Sequence, residues 1–271
     1  MIRIGSWNIL GRRSHQMGRS AEPGAIARAL KADPVDVLCL QEVHFFGDSP
    51  ELEVIDELSS VGLVNIIGEP LSPSHLDNNA SLGLAIASRF PLTSKRIHQL
   101  RNPRISAQVR GKNWVLHDKG LLGATLELGH GRRLQIYSLH LFPYFEFGIE
   151  ESHRYVQDMW HEFWDYVDKA TRGLPLVLAG DFNHELRSSA AERWSKGDWR
   201  FCFKGSATTE SGLALDDIAV NWDGGTGNRA VSATFSDHRI VVAELDLPAQ
   251  DGMAPMSSPM LERRASGVRG R

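Results

Sequence analysis

Short runs of mostly apolar residues recur along the whole chain, and turn-forming or polar residues follow each of them. Such runs are typical of strands that are covered on both faces of a sheet. The clearest are "IRIGSWNI", "VDVLCLQEV", "LGLAIASRF", "GLLGATLEL", "RLQIYSLHL", "LPLVLAGDF", "LDDIAVNW" and "HRIVVAELDL". The pattern therefore predicts a protein built mainly on strands.

Two segments between these runs have helical spacing. Residues 24–31 are rich in alanine, with Pro23 at the predicted first turn and Asp33-Pro34 after the last. Within residues 150–170, apolar side chains recur three and four positions apart, which predicts a helix with one buried face. This stripe, which we interpret as core packing, consists of Tyr155, Val156, Met159, Trp160, Phe163, Trp164 and Val167.

The composition restricts the class of protein but does not indicate a function. The 271 residues are 42% hydrophobic and 23% charged, as in a globular protein, and a net charge of −3 gives no overall basic character. Cys39 and Cys202 are the only cysteines, so we expect no disulfides and a reducing compartment. We find neither a secretory signal nor an apolar run long enough to span a membrane, so we predict a cytoplasmic protein without integral membrane association.

The chain changes character near its end. From Pro248 onward it is rich in Pro, Ser, Gly, Met and Arg and has no periodicity. We therefore predict one mixed α/β domain over residues 1–247 and a disordered tail over residues 248–271.

Polar residues cluster where the predicted strands begin or end. They are Asn8, Glu42, His140, Asp181, Asn183, Asp216, Asp237 and His238. Each alone could be a turn, a cap or a satisfied core residue, but burying all of them at one end of a sheet is costly without a ligand. Carboxylate and amide oxygens suit Mg²⁺ or Mn²⁺, and histidines beside such an ion suit proton transfer. The pattern indicates metal-assisted hydrolysis of a phosphate ester.

The motifs "SWN", "LQE", "SLHL", "GDFN" and "SDH" occur in this order, with "GLAIASRFPL" and "LDDIAV" between them. In this arrangement the chain resembles the endonuclease/exonuclease/phosphatase superfamily from residue 3 to about residue 245. The resemblance implies a DNase I-like fold, which is a four-layer α/β sandwich with two facing mixed β-sheets. It also implies a metal-dependent phosphoric ester hydrolase that uses Mg²⁺, with Mn²⁺ as a substitute.

The resemblance also implies a role for each matched residue. Metal ligation falls to Asn8, Glu42 and Asp237. The implied catalytic residues are Asp181 and Asn183, which align or deprotonate water, His238 with its orienting Asp216, and His140 near the leaving group. Where AP endonucleases usually have Asp and Tyr, this chain has Leu10 and His140, which argues against an AP-site specialist.

Two regions bear on the substrate. Basic residues are concentrated between Lys95 and Lys119, and Arg12 and Arg13 follow Asn8; these could contact nucleic acid, or the stretch could be a charged sheet edge. The aromatic loop "FPYFEFG", which contains Tyr144, could stack on bases, insert into lipid or pack on the next helix. We select Arg12, Arg13, Lys119 and Tyr144 as candidate substrate-binding residues.

The leading hypothesis is a Mg²⁺-dependent phosphodiesterase that cleaves DNA or RNA. The alternative is a lipid or sugar phosphate hydrolase, such as a sphingomyelinase-like phospholipase. A catalytically inactive binding module is disfavoured because no motif residue is missing.

Overall fold

A computed structural model describes residues 1–13, 20–109, 111–170, 174–185, 199–203, 205–231 and 235–248. The predicted disordered tail, apart from Pro248, lies outside these residues.

Two large sheets and one small sheet form the described framework. The first sheet consists of β1 (Ile2–Asn8), β2 (Val37–Phe46), β3 (Ser49–Pro50), β4 (Asn65–Pro73), β5 (Ser81–Ser88), β14 (Gly225–Val231) and β15 (Ile240–Leu245). The second consists of β6 (Leu92–Gln99), β9 (Gly120–Glu127), β10 (Arg133–His140), β11 (Leu176–Asp181), β12 (Arg200–Phe201) and β13 (Asp216–Val220). The small sheet is the pair β7 (Ser106–Val109) and β8 (Lys112–Val115).

In each large sheet the two central strands form a parallel pair. The first sheet runs β14-β15-β1-β2-β5-β4, with β3 added to β2, and the second runs β12-β13-β11-β10-β9-β6. The pairs β1–β2 and β10–β11 are parallel, whereas the other pairings of these two sheets are antiparallel. Both sheets are therefore mixed. The two central strands of each sheet are parallel, so their carboxyl ends lie side by side.

Three buried clusters hold four layers together. Side chains from the two sheets, such as Ile4 and Ile136, meet in the central cluster. Helices α1 (Ala25–Ala32) and α2 (Leu52–Ser60) cover the outer face of the first sheet, and α3 (Arg154–Ala170) covers the outer face of the second. Because each sheet is covered on both faces, its central strands are apolar on both sides.

The predicted four-layer sandwich with two facing mixed sheets is confirmed, and a strand occupies each of the eight predicted runs. The helix stripe is buried as expected, except that Tyr155 is 36% exposed. Pro23 does not lie in the first turn of α1, because Gly24 is the N-cap, with a φ of 77°, and the helix begins at Ala25. The sequence interpretation missed α2 and the exposed strand β6.

The described residues contain no helix that is long and apolar enough to cross a membrane. Cys39 and Cys202 are both free thiols, as expected from the low cysteine content.

The central cluster gives a test of the layer assignment. We expect Ile136→Ala, at a fully buried position between the sheets, to lower the free energy of unfolding by about 2–5 kcal/mol. Ile97→Ala, on β6 where the side chain is 43% exposed, should change it by no more than about 0.5 kcal/mol. Urea denaturation of the two variants measures both values, and equal losses would contradict this assignment.

Candidate active site

Strand pairing brings the predicted site residues to one end of both sheets. In the first sheet, Asn8 is in register with Gln41, so Glu42 follows beside the end of β1. In the second sheet, the parallel pair places His140 opposite Asp181, and the antiparallel neighbour places Asp216 opposite Asp181. The chain returns through His238 just before β15, which pairs with β1.

Asn8 joins the two halves of this site. Its side-chain amide donates a hydrogen bond to Oδ2 of Asp181 over 3.1 Å, and its Oδ1 accepts one from the amide of Leu10. The Asn8 backbone carbonyl accepts a hydrogen bond from Ser236, whose hydroxyl also accepts one from the amide of His238. Asn8 therefore fixes the end of β1, the end of β11 and the loop that carries His238.

Glu42 projects from an irregular point of β2. Its φ is 53°, and the pairing of β2 with β5 shifts register between Leu40 and Val43. A bulge of this kind redirects a side chain, and the left-handed conformation costs a non-glycine residue about 1–3 kcal/mol. The fold thus tolerates backbone strain at the residue that the resemblance identifies as the main metal ligand.

Lys119 lies between Glu42 and His140. Its ammonium is 2.9 Å from Nε2 of His140 and 3.8 Å from Oε1 of Glu42. His140 Nε2 is in turn 3.4 Å from Oδ2 of Asp181. Lys119 therefore lies among the candidate catalytic and metal-binding residues.

His238 and Asp216 form a buried dyad. Nδ1 of His238 is 2.8 Å from Oδ2 of Asp216, while Nε2 faces Asp181 at 3.8 Å. The neighbouring Asp217 points elsewhere, because its Oδ1 accepts hydrogen bonds from the amides of Phe203 and Ile218. Asp216, and not Asp217, is thus the partner of His238.

Asp181 and Asn183 are brought together by a turn rather than by strand alternation. Strand β11 ends at Asp181, whose Oδ1 accepts a hydrogen bond from the amide of Asn183. Asn183 has a φ of 52° and donates from its side chain to the carbonyl of Leu141. Phe182, between them, points into the core under α3.

A buried polar link, which the sequence interpretation missed, lies beneath these residues. Gln41 donates to the hydroxyl of Ser138 over 3.1 Å, and Ser138 donates to the carbonyl of Leu40 over 3.0 Å. Both residues are fully buried, and they connect β2 of the first sheet with β10 of the second. Their positions, just before Glu42 and two residues before His140, were the available sequence signal.

Burial and mutual charge set the protonation of the site. Burial disfavours the imidazolium of His238, but the charges of Asp216 and Asp181 outweigh it and raise the pKa of His238. Burial raises the pKa of Asp181 to about 7. Burial and the nearby Lys119 together hold the pKa of His140 well below its usual value. At neutral pH the site therefore contains a charged His238 and a neutral His140.

The donor set fits a hard divalent cation. Among the described residues, neither Oε2 of Glu42 nor Oδ1 of Asp216 has a hydrogen-bond partner, although both atoms are buried. Asp181, Asp216 and His238 also bring one ligand atom each within 4.8 Å of one another. A buried carboxylate oxygen without a donor is costly unless a cation neutralises it, and oxygen ligands are those that Mg²⁺ and Mn²⁺ prefer.

Two of the four candidate substrate-binding residues do not reach this site. The Arg12 guanidinium is bound by three glutamates, Glu51, Glu53 and Glu57, which lie at and within α2, a helix that the sequence interpretation lacked. The Tyr144 ring is 1% exposed and packs beside Phe142, so it is not available for stacking on a base. Arg13 is half-buried, and its part in substrate binding stays a prediction.

The basic stretch and the aromatic loop each divide into two parts. Lys95 lies on the edge strand β6 and pairs with Glu69, as expected for a charged sheet edge, whereas Lys119 enters the site. In the aromatic loop at 142–148, Phe142, Tyr144 and Phe147 pack under α3. The side chain of Phe145 instead faces solvent and is 43% exposed.

His184, which follows the GDFN motif, is a buried residue. Its ring centroid lies 5.4 Å from that of Trp160 and 6.4 Å from that of Tyr144. Burial lowers the pKa of His184 to about 4. Beside it, Asn183 borders a cavity of about 260 Å³ that is also lined by Phe145, Ile149, Leu213 and Leu215.

Comparison with known proteins agrees with this geometry. The sequence profile described as "Endonuclease/Exonuclease/phosphatase family" matches residues 5–238. A search of curated protein sequences finds no significant match.

Solved structures share the fold at low sequence identity. The human Nocturnin catalytic domain with bound sulfate is 22% identical, with a TM-score of 0.64 over 91% of this chain and 93% of that one. Bacteroides thetaiotaomicron mannosyl-6-phosphatase is 14% identical, with a TM-score of 0.62 over 91% and 100%. The Neisseria 3′ phosphatase NExo bound to a product DNA hairpin is 18% identical, with a TM-score of 0.57 over 91% and 100%. At these identities the likeness concerns the fold.

The burial of His184 predicts a pH effect on stability. The pKa of His184 is lower in the folded protein than in the unfolded chain, so neutral burial of its ring contributes fully to the free energy of unfolding above about pH 6.5. This contribution, on the order of 3 kcal/mol, is lost as the pH falls toward 4. His184→Phe keeps a ring against Trp160 but cannot titrate. We expect the stability difference between the two proteins to shift in favour of the variant over this range, as measured by urea denaturation. A difference independent of pH would contradict the neutral burial of His184.

Proposed function

Because the chain belongs to the endonuclease/exonuclease/phosphatase family, whose members are metal-dependent phosphoric ester hydrolases, we propose that it is a Mg²⁺-dependent phosphodiesterase that cleaves DNA or RNA. The observation that carries this proposal is the His238–Asp216 dyad, which faces Asp181 at the end of the two sheets. A charged imidazole, a carboxylate with a raised pKa and a nearby cation site are the groups that water attack on a phosphoryl centre requires.

His238 binds and polarises the phosphate. Its Nδ1 hydrogen is held by Asp216, which fixes the ring and leaves Nε2 directed toward Asp181. Because its pKa is raised, His238 is protonated at neutral pH and donates to a phosphoryl oxygen, whose charge grows in the transition state. Asp216 acts through His238 as a positioning residue.

Asp181 orients the attacking water and takes its proton. Its pKa of about 7 suits a group that exchanges a proton at neutral pH. The amide groups of Asn8 and Asn183 hold its two oxygens from opposite sides, so the carboxylate keeps one orientation. In-line attack then places the leaving group on the opposite side of the phosphorus from this water.

His140 and Lys119 serve the leaving-group side. The low pKa of His140 leaves its ring neutral, so it acts by hydrogen bonding. Lys119, 2.9 Å from it, supplies the positive charge that stabilises the departing oxygen.

Asn8, Glu42 and Asp237 are the residues we assign to a Mg²⁺ ion, with Mn²⁺ as a substitute. The unpartnered Oε2 of Glu42 supports this assignment. When bound, the ion supplies Lewis-acid polarisation of the phosphoryl oxygen.

Nucleic acid is the proposed substrate class. Lys119 places a cation at the reacting centre of a chain whose net charge is −3, so the attraction for a polyanion is local. A structural neighbour binds a product DNA hairpin, which supports this substrate class. A cytoplasmic location remains a prediction that fits the two free thiols.

A sugar phosphate hydrolase is the second candidate. One neighbour is a mannosyl-6-phosphatase, and the cavity of about 260 Å³ beside Asn183 could hold a compact leaving group. Phe145, Ile149, Leu213 and Leu215 give this cavity the apolar walls that the phospholipase alternative requires, and Glu151 and Glu185 line it as well.

The substrate class can be tested on one panel. The purified protein is incubated with single-stranded RNA, single-stranded DNA, plasmid, mannose 6-phosphate and sphingomyelin vesicles, each with Mg²⁺ and with EDTA. We expect Mg²⁺-dependent cleavage of a nucleic acid. Intact nucleic acids beside hydrolysed mannose 6-phosphate or sphingomyelin would instead establish one of the alternatives.

The dyad and the water-orienting residue can be tested by substitution. We expect His238→Ala and Asp181→Ala each to lower kcat by about 10²–10⁴-fold, because each removes a proton-transfer or charge-stabilising group. Asp217→Asn is the matched control. Burial raises the pKa of Asp217 to about 7, so the uncharged amide is a close substitute that still accepts the Phe203 hydrogen bond. Thermal unfolding checks that all three proteins are folded, and full activity of either alanine variant would refute the site assignment.

A further inference from the structure

Three aromatic side chains that the proposed chemistry does not use form a row on the Glu42 side of the site. The ring centroids of Trp114 and His75 are 5.5 Å apart, and those of His75 and His117 are 5.2 Å apart with an angle of 30° between the planes. We call Trp114, His75 and His117 the aromatic row. Its members come from β8, from the β4–β5 connection and from the segment that leads into β9.

The inner end of the aromatic row reaches the reacting groups. His75 and His117 line one cavity together with Glu42, Lys119 and His140. The His117 ring is fixed by a contact of 3.1 Å between its Nδ1 and the hydroxyl of Ser72. The row thus begins at the walls of the site and leads away from it.

The outer end of the row is open to solvent. Trp114 is 38% exposed, and in the β7–β8 hairpin its cross-strand partner is the small residue Ala107. The next residue, Val115, is 50% exposed. Lys119 is five positions after Trp114, so their Cα atoms are no more than about 18 Å apart. Such a distance is short enough for one nucleic acid strand to contact both.

Two simpler explanations fit the row less well. In a metal site three ligand atoms would converge, and within the described part of the chain such a group occurs at Asp181, Asp216 and His238 but not at His75 and His117. Core packing would bury the indole of Trp114, which instead leaves more than a third of its surface in water. A large aromatic ring exposed beside a site is more typical of ligand contact.

Two cations near the row suit a phosphate backbone. Lys119 lies at its inner end, and Arg104, with a side chain that is 71% exposed, forms an ion pair of 3.4 Å with Asp118, the residue before Lys119. Stacking on aromatic rings accepts any base, and a nearby cation attracts the phosphate that joins one base to the next.

We propose that Trp114 and His75 form a stacking surface for an unpaired nucleobase of the substrate, on the Glu42 side of the scissile phosphate. This inference rests on the proposed nuclease function and adds to it a preference for a single-stranded segment at this position. Lys119 then holds the phosphate closest to the reaction, and the base beyond it lies on the indole.

The test uses the full chain and a fluorescently labelled single-stranded DNA, with affinity measured by anisotropy in EDTA so that no turnover occurs. In a matching series of oligonucleotides, each nucleotide in turn is abasic. For the native protein we expect one position, or two adjacent ones, at which base removal weakens binding about fivefold to 150-fold. The Trp114→Ala variant should bind the intact strand with an affinity lower by the same factor. In this variant, removal of a base at any position should cause no further loss. Trp114→Phe should retain most of both effects.

Tyr155→Ala is the matched control, because Tyr155 is an aromatic residue of similar exposure on α3, outside the aromatic row. It should leave the affinity and the abasic profile unchanged. If the native protein cleaves the strand with Mg²⁺ but Trp114→Ala binds as tightly as the native protein, the stacking surface is refuted while the nuclease function stands. A weakened variant that keeps the native abasic profile would also refute it, since that result indicates a structural effect. No cleavage of any nucleic acid would overturn the proposed function itself.

Discussion

The hydrogen bonds that cross between the two sheets constrain the whole site. Asn8 reaches Asp181, and Gln41 reaches Ser138, so the first sheet is tied to the second directly beneath the reacting groups. Since a shift of one residue turns every side chain of a strand to the opposite face, these bonds exist in only one register of β1, β2, β10 and β11. The same register places Glu42 and His140 beside each other. The packing that stabilises the fold therefore also sets the distances between the candidate catalytic side chains.

Charge balance is the second constraint at this end of the sheets. Three acidic side chains, Glu42, Asp181 and Asp216, are largely or fully buried there, and the nearby cations are Lys119 and His238. Removing such groups from water is costly unless they compensate one another. The raised pKa values of Asp181 and His238 result from this burial of mutually interacting charges. The carboxylate oxygens without hydrogen-bond donors show that the compensation is incomplete. A divalent cation would complete the balance, which links metal binding to the stability of the site.

The sequence was most informative where one physical cause dominates. Strands such as β11 are apolar on both faces, and a polar residue at the end of such a strand is readily recognised, which is why Asp181 and His140 were found. Exposed strands such as β6 lack that contrast and were missed. The position of Arg12 depended on glutamates about 40 residues away, and the burial of Tyr144 depended on how its loop packs against α3. Neither of these long-range contacts leaves a local pattern.

Substrate choice must then arise outside the shared framework. Nocturnin, a mannosyl-6-phosphatase and a DNA-bound 3′ phosphatase have this fold with TM-scores from 0.57 to 0.64, and the names of the two phosphatases indicate different substrates. Two sheets that hold the reacting groups at fixed distances act on the phosphoryl group, which nucleic acids and sugar phosphates have in common, and not on the base or sugar attached to it. The parts of this chain that could make the distinction are those at the rim: the β7–β8 hairpin, the loop that exposes Phe145 and the connection that carries His75. In this protein the rim carries the exposed indole of Trp114 and, beside Asn183, a cavity of about 260 Å³. Specificity is therefore a property of a few side chains on short elements, whereas catalysis is a property of the whole sandwich.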